Sequence, residues 1–135
     1  MPGSFFDTNV LIYAASADPV KADLAERLIA EGGTISVQVL NELANVARRK
    51  MAMSSDDTRA WLTTLRALLS VQPLTVDIHE DGLRLAQRYG FSFHDATIVA
   101  AALHADCDVL WSQDMHNGMI VEDQLRITDP FSAAR

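Results

Sequence analysis

The sequence predicts an α/β fold: a three-layer α/β/α sandwich around a central, mainly parallel sheet, in a single domain over residues 1–135. Three observations predict it. Short β-branched or apolar runs alternate along the chain with longer segments of helical periodicity, the pattern of a sheet with helical crossovers. Cap and breaker residues separate these segments: Asp18-Pro19, Gly32-Gly33, Ser54-Ser55 and Gly90. No repeat, linker or low-complexity stretch divides the 135 residues, a length that suits one core.

Residues 5–13 begin as a strand and then turn. Asp18 is an N-cap followed by proline at the first helical position; Leu24, Leu28 and Ile29 form the apolar stripe of that helix, and Gly32-Gly33 end it. Residues 34–37 are a short strand. Residues 38–50 are a helix with apolar positions 39, 40, 43, 46 and 47. The run Ser54-Ser55-Asp56-Asp57 caps a helix through about Leu69, with a stripe of Trp61, Leu62, Leu65, Leu68 and Leu69 that suits a core or a dimer surface. A weak strand is expected at 74–76 after Pro73, a helix at 78–89 closed by Gly90, and a connecting turn at 91–94. Residues 95–105 are apolar almost all round, so that helix should be central and buried. A buried strand at 108–112, a loop at Gly118 and a last strand at 125–128 complete the pattern, read as parallel strands joined by right-handed crossovers.

Composition narrows the function. The formal net charge is −7, from 18 acidic and 11 basic residues, which argues against general duplex binding. It is compatible with a nucleic-acid enzyme whose acids are committed to a cation. The one cysteine, Cys107, sits in an apolar context, fits a core role and allows no internal disulfide. Residues 1–4 lack the basic and apolar regions of a signal peptide, and no apolar run is long enough to span a bilayer, so a cytoplasmic location is expected.

Four carboxylates lie at the edge or inside of apolar elements, where charge is costly: Asp7 after Ser4-Phe5-Phe6, Glu42 within the helical stripe, Asp95 before the run 96–103, and Asp114 after Val109-Leu110-Trp111. In open parallel sheets, ligands gather beyond the carboxyl ends of the strands, and all four acids could reach that rim. Brought together they repel unless a cation neutralises them, and an all-oxygen cluster selects a hard ion, Mg²⁺ or Mn²⁺. Such an ion activates water for phosphodiester hydrolysis, and a second stabilises the leaving oxygen. Because Mg²⁺ takes few direct carboxylates, Asp7 and Asp95 are assigned to it directly. Glu42 and Asp114 act through water or complete a second site, one of them also serving to orient the attacking water. Thr8, Asn9 and Ser112 are placed to hydrogen-bond the metal carboxylates, and Asn117 to contact a phosphate or the last metal-bound water.

Each acid also has an ordinary reading: Asp7 in a turn, Asp95 as a helix cap, Glu42 solvated beside an arginine, Asp114 in a loop. Arg48-Arg49-Lys50, the only basic run, suits a helix C-terminus first, and otherwise a nucleic-acid backbone contact or a handle for an acidic partner. His79, His94, His104 and His116 lack metal-ligand spacing and are read as non-ligands, with His116 near enough to Asp114 to touch substrate.

The residues 7–13 (DTNVLIY), 36–42 (SVQVLNE), 91–96 (FSFHDA) with 98–102, and 109–115 (VLWSQDM) with Gly118 resemble, in order, the four motif segments of PIN-domain nucleases; Arg126-Ile127 and Asp129-Pro130-Phe131 resemble the closing segment. The resemblance is nearest to VapC-type toxins of bacterial toxin–antitoxin pairs. It implies a Mg²⁺-dependent endoribonuclease leaving 5′-phosphate and 3′-hydroxyl ends, a homodimer, and a cognate antitoxin whose C-terminal segment blocks the acidic groove. The family's acids fall on Asp7, Glu42, Asp95 and Asp114. Two positions depart: His94 stands where close relatives carry Trp, and Asp129 where they carry Asn. Three rival readings remain beside this one: a binding module on the same fold without catalysis, a PIN nuclease outside any toxin–antitoxin pair, and a phosphotransfer domain with Asp7 as nucleophile. The last lacks the lysine it needs, because no lysine follows Lys50.

Overall fold

The computed structural model describes residues 3–132; the reading of residues 1–4 as lacking a signal peptide lies partly outside them. The described chain runs β1 (Ser4–Phe6), α1 (Thr8–Ala14), α2 (Pro19–Ala30), β2 (Thr34–Ser36), α3 (Val37–Arg49), α4 (Ser55–Leu68), β3 (Ser70–Gln72), α5 (Val76–Tyr89), α6 (Phe93–His104), β4 (Val109–Trp111), β5 (Ile120–Val121) and β6 (Leu125–Thr128). The strands form one six-stranded sheet in the order β3-β2-β1-β4-β6-β5. Every neighbouring pair is parallel except β5 with β6. Strand order reverses direction at β1: β2 and β3 extend one way, β4 and β6 the other. Right-handed crossovers then lay α1–α4 on one face and α5–α6 on the opposite face, giving the three layers the sequence predicts. The helix contacts agree, with α1 against α2 and α3, α3 against α4, and α5 against α6.

Most elements start and stop where their caps dictate. The Asp18 carboxylate accepts from the backbone N–H of Val20 (3.1 Å) and Lys21 (3.2 Å), with Pro19 leading α2. Ser54 Oγ accepts from Asp57 N at 3.0 Å to start α4. Gly90 ends α5 with φ 77°, a left-handed conformation glycine adopts without a Cβ clash. Helix α6 is buried continuously from Ala96 to Ala102, as its all-apolar pattern requires. Cys107 is buried in the core.

Four local expectations are corrected. After β1 the chain enters a helix rather than a turn, because the Asp7 carboxylate accepts from Thr8 N (2.7 Å) and caps α1. The edge strand is Ser70–Gln72, not 74–76. Its backbone aligns Ser70, Val71 and Gln72 with Thr34, Ile35 and Ser36, while Thr75 Oγ1 accepts from Ile78 N (3.2 Å) and draws residue 76 into α5. Helix α6 begins at Phe93, not Asp95, because Ser92 is the N-cap and accepts from Asp95 N at 3.1 Å. Strand β5 was not foreseen. It pairs antiparallel with β6 around a three-residue loop, 122–124, in which Glu122 and Asp123 both hold φ 54°, a left-handed conformation uncommon for residues other than glycine. Glu122 is held there by Arg84 (2.6 Å), Arg88 (2.8 Å) and the Tyr89 hydroxyl (2.9 Å), contacts that offset the strain.

Helices α5 and α6 pack closely because residue 82 has no side chain. A Cβ there would lie 2.7 Å from Thr97 Cγ2 and 3.5 Å from Thr97 Cα. Thr97 is buried and its hydroxyl donates to His94 O (2.8 Å), so it cannot swing away freely. Gly82→Ala gains about 1 kcal/mol of helix propensity but overpacks the contact by about 1–3 kcal/mol. The expected net effect is destabilisation, read as a lower Tm. A raised Tm would show that the α5–α6 contact yields.

Candidate active site

The strand order creates a crevice where β1 and β4 lie side by side and their outgoing chains part, the place where open α/β sheets gather ligands. Asp7 leaves β1 there, and Ser112, Gln113 and Asp114 leave β4. Asp7 N donates to Trp111 O at 2.9 Å, so the two exits are locked together. Ser112, fully buried, donates its hydroxyl to Asp7 Oδ2 at 2.8 Å. Asn9, the second residue of α1, donates from Nδ2 to the same oxygen at 3.4 Å and accepts on Oδ1 from Gln113 N at 3.1 Å. Asn9 and Ser112 thus bond Asp7 through their side chains, whereas Thr8 does so through its backbone N–H and leaves its hydroxyl, the group the sequence pointed to, without a hydrogen bond.

Asp7 is only 6% exposed. Burial pushes its carboxyl above the ordinary range; the Ser112 and Thr8 hydrogen bonds oppose this, and the negative charges of Asp95 and Asp114 reinforce it. Three of the four predicted acids therefore share one electrostatic neighbourhood. Asp95 is half-buried in the first turn of α6, and Asp114 is exposed in the bend after β4.

Glu42 sits in the second turn of α3, whose start is fixed by Ser36 Oγ accepting from Val39 N at 3.3 Å. Burial raises its carboxyl, the neighbouring His94 lowers it, and Asp7 raises it again, so Glu42 joins the same field. The Thr8 hydroxyl also favours the Glu42 carboxylate, although it stops short of hydrogen-bonding geometry.

His94, a non-ligand and a departure from the family's Trp on sequence grounds, engages Glu42. Its Nε2 stands 3.0 Å from Glu42 Oε1. Gln38 Nε2 lies 3.3 Å from His94 Nδ1 and donates to His94 O at 3.3 Å. An amide N–H only donates, so Nδ1 is the acceptor of that contact, while Nε2 stands within ion-pair reach of Glu42 Oε1, an oxygen that makes no hydrogen bond. Gln38 and Glu42 are four residues apart on one helix, so they share a face; that spacing was the available signal for a common partner. Asn117 is placed differently from the expectation: its Oδ1 accepts from Asp129 N at 2.9 Å and braces the end of β6. Asp129 is buried, with Oδ1 accepting from Phe131 N at 2.8 Å. His116 is exposed.

Among the described residues, no group of three or more His, Cys, Asp or Glu side chains is poised to hold a metal ion outright. The donor set nevertheless suits a hydrated Mg²⁺, which takes one or two carboxylates directly and keeps its waters for the rest. A buried acid repelled by two neighbouring acids, with donors on its other contacts, is an arrangement that a hard cation relieves. Ser112 orients the Asp7 oxygen that would face such an ion. Ser112→Ala removes that bond from a buried carboxylate, so metal affinity measured by calorimetry is expected to fall about 10- to 100-fold. Unchanged affinity would detach Ser112 from the site.

Comparison with curated proteins finds no match. Solved structures with the same fold include a toxin–antitoxin complex from Klebsiella pneumoniae (22% identity, covering 94% of this chain and 97% of that one, TM-score 0.71). They also include the DNA-bound VapBC of Salmonella typhimurium (19%, 96% and 99%, TM-score 0.71). A third is VapC20 of Mycobacterium tuberculosis, described as a sarcin-ricin loop cleaving toxin (22%, 82% and 89%, TM-score 0.67). At these identities the likeness is one of fold. The family profile described as the PIN domain matches residues 4–116, from the first residue of β1 to two residues past Asp114. With the match covering most of the chain and the four acids gathered around the β1–β4 crevice, the chain belongs to the PIN domain family.

Proposed function

We propose that this protein is a metal-dependent endoribonuclease, the toxin of a toxin–antitoxin pair. The observation that carries the reading is the buried Asp7 carboxylate at the β1–β4 crevice, held by Ser112 and repelled by Asp95 and Asp114. Membership of the PIN domain family supports a nuclease, and the VapC and VapBC structures of like fold support a toxin with a cognate antitoxin. A homodimer and a cytoplasmic location belong to the same reading; among the described residues no helix is long and apolar enough to cross a membrane.

Asp7 and Asp95 would hold the ion directly, and Glu42 and Asp114 would hold it through water or complete a second position. Mg²⁺, or Mn²⁺ in its place, supplies when bound a Lewis acid that activates water and neutralises charge on the phosphate. The chain's residues do the rest. Ser112 and Asn9 fix the rotamer of Asp7, and the backbone N–H of Thr8 caps its other oxygen. His94 holds Glu42 from the α6 side, so that α3 and α6 face each other across the acids. Asp114, the exposed acid, is free to orient the incoming water or accept its proton.

The test is RNA cleavage by the purified chain with Mg²⁺ or with EDTA, followed by end-group analysis. Expected are cuts only with the metal, leaving 5′-phosphates. Mg²⁺ binding without cleavage of any RNA offered would favour a binding module instead.

A further inference from the structure

We infer that the cleft between α3 and α4, together with the exposed face of α3, is the track that carries the backbone of single-stranded RNA to the acid cluster. The inference deepens the ribonuclease reading and rests on it.

The cleft holds about 1000 Å³ and carries Arg48 from α3 and Arg59 and Arg66 from α4. Arg59, Thr63 and Arg66 follow one another at intervals of four and three, so they project from one face of α4. A second hollow of about 600 Å³ carries Arg48, Arg49, Glu42 and His94. The two share Asn41, Ala44 and Arg48, so one continuous surface runs from the α4 arginines to the Glu42–His94 contact. Glu42 and Arg48 are six residues apart, roughly 9 Å of helix rise.

Charge selects the occupant. The protein has 18 acidic residues against 11 basic ones, yet these two hollows present four arginines and a single carboxylate, Glu42 itself. Elsewhere Arg27, Arg84 and Arg88 are neutralised by Asp23, Asp81 and Glu122. Arg49, Arg59 and Arg66 make no ion pair among the described residues, and Arg48 is steadied by donating to the Ser55 hydroxyl rather than to an acid. The arginines stand among hydroxyl and amide groups and beside apolar Leu40, Leu62 and Val71; the polar set binds phosphate oxygens without reading sequence. An acidic peptide would also meet these arginines. The surface leads on to Glu42 and the acid cluster, where under the proposed function a phosphodiester is the group that reacts, so the continuity of the path favours RNA.

The test uses the full chain carrying Asp7→Asn, which binds without cutting, and a fluorescein-labelled single-stranded oligoribonucleotide in Mg²⁺. Adding Arg59→Ala with Arg66→Ala is expected to raise Kd roughly ten-fold and to lower the salt slope by about 1.4, at about 0.7 per phosphate contact on a single strand. Arg27→Ala, on α2, is expected to change neither. Because both α4 arginines are exposed, folding should persist, and circular dichroism checks it. Equal RNA binding by the double variant overturns the track. So does arginine-dependent binding of poly-glutamate with RNA binding unaltered, which would make the cleft a protein-docking site. The parent chain with Asp7 intact is assayed for cleavage in parallel. Cleavage with arginine-independent binding removes the track alone; arginine-dependent binding without cleavage removes the ribonuclease reading alone.

Discussion

Replacing Asp7 with Asn is expected to lower RNA cleavage more than about 100-fold, beyond the usual effect of altering a residue that only supports a metal ligand, while leaving the protein folded. Asparagine matches the aspartate in shape. Its oxygen can accept from Thr8 N, and the Ser112 hydroxyl can rotate to accept from its amide. The fold should even gain without metal, because the substitution removes a buried charge that Asp95 and Asp114 repel. The pH dependence follows. Burial holds the Asp7 carboxyl above its ordinary 3.8, so in this range the native state binds its proton more readily than the unfolded chain. Stability therefore falls as pH rises from 3.8 through the folded value, and stays diminished above it. In EDTA the Tm of Asp7→Asn should exceed that of the parent at pH 7. The gap should narrow as pH is lowered through the folded value toward 3.8, and Mg²⁺ should narrow it at neutral pH by stabilising only the parent. Full cleavage activity in the variant would sink the site assignment; a gap indifferent to pH would show that Asp7 is not a strained buried acid.

Phe5→Ala is expected to destabilise the protein by about 3–5 kcal/mol, a large part of the roughly 5–15 kcal/mol that holds a small domain. Phe5 is fully buried in the middle of β1, opposite Thr34 of β2 and Leu110 of β4, at the centre of the sheet. Nothing can collapse into the space it leaves without moving a strand. For a chain of this length the Tm should drop by more than about 10 °C. The damage should reach function as well, because Asp7 is two residues along the same strand exit. A loss below roughly 1 kcal/mol would show that the two sides of the sheet repack around the gap.

Much of this was legible in the chain. Pro19 after Asp18, Ser54 before the α4 stripe and Gly90 after Tyr89 each act through groups within a few residues, so their spacing predicts the helix ends. The same holds for the apolar run of α6. The acids stood out because carboxylates at the mouths of apolar elements need a reason. The misses also have physical causes. The strand at 70–72 is short and half-exposed, so its own residues carry little apolar signal and its pairing with β2 defines it. The hairpin loop at 122–124 uses Glu-Asp, held by arginines and a tyrosine from α5 more than thirty residues away. Asn117 looked like a phosphate contact because it follows Asp114, and it turned instead to Asp129 N.

The sequence by itself determined the alternation of strands and helices, the burial of α6, and the presence of four acids at the edges of or inside apolar elements, because these follow from periodicity and caps along the chain. Only the tertiary structure decided the order β3-β2-β1-β4-β6-β5, the 2.8 Å bond between Ser112 and Asp7 across 105 positions, the hold of His94 on Glu42, and the gathering of four arginines along α3 and α4. A local pattern encodes which face of an element is buried, and it carries no information about which element lies beside it. That choice is made by the whole sheet as its strands find the one order that closes the core.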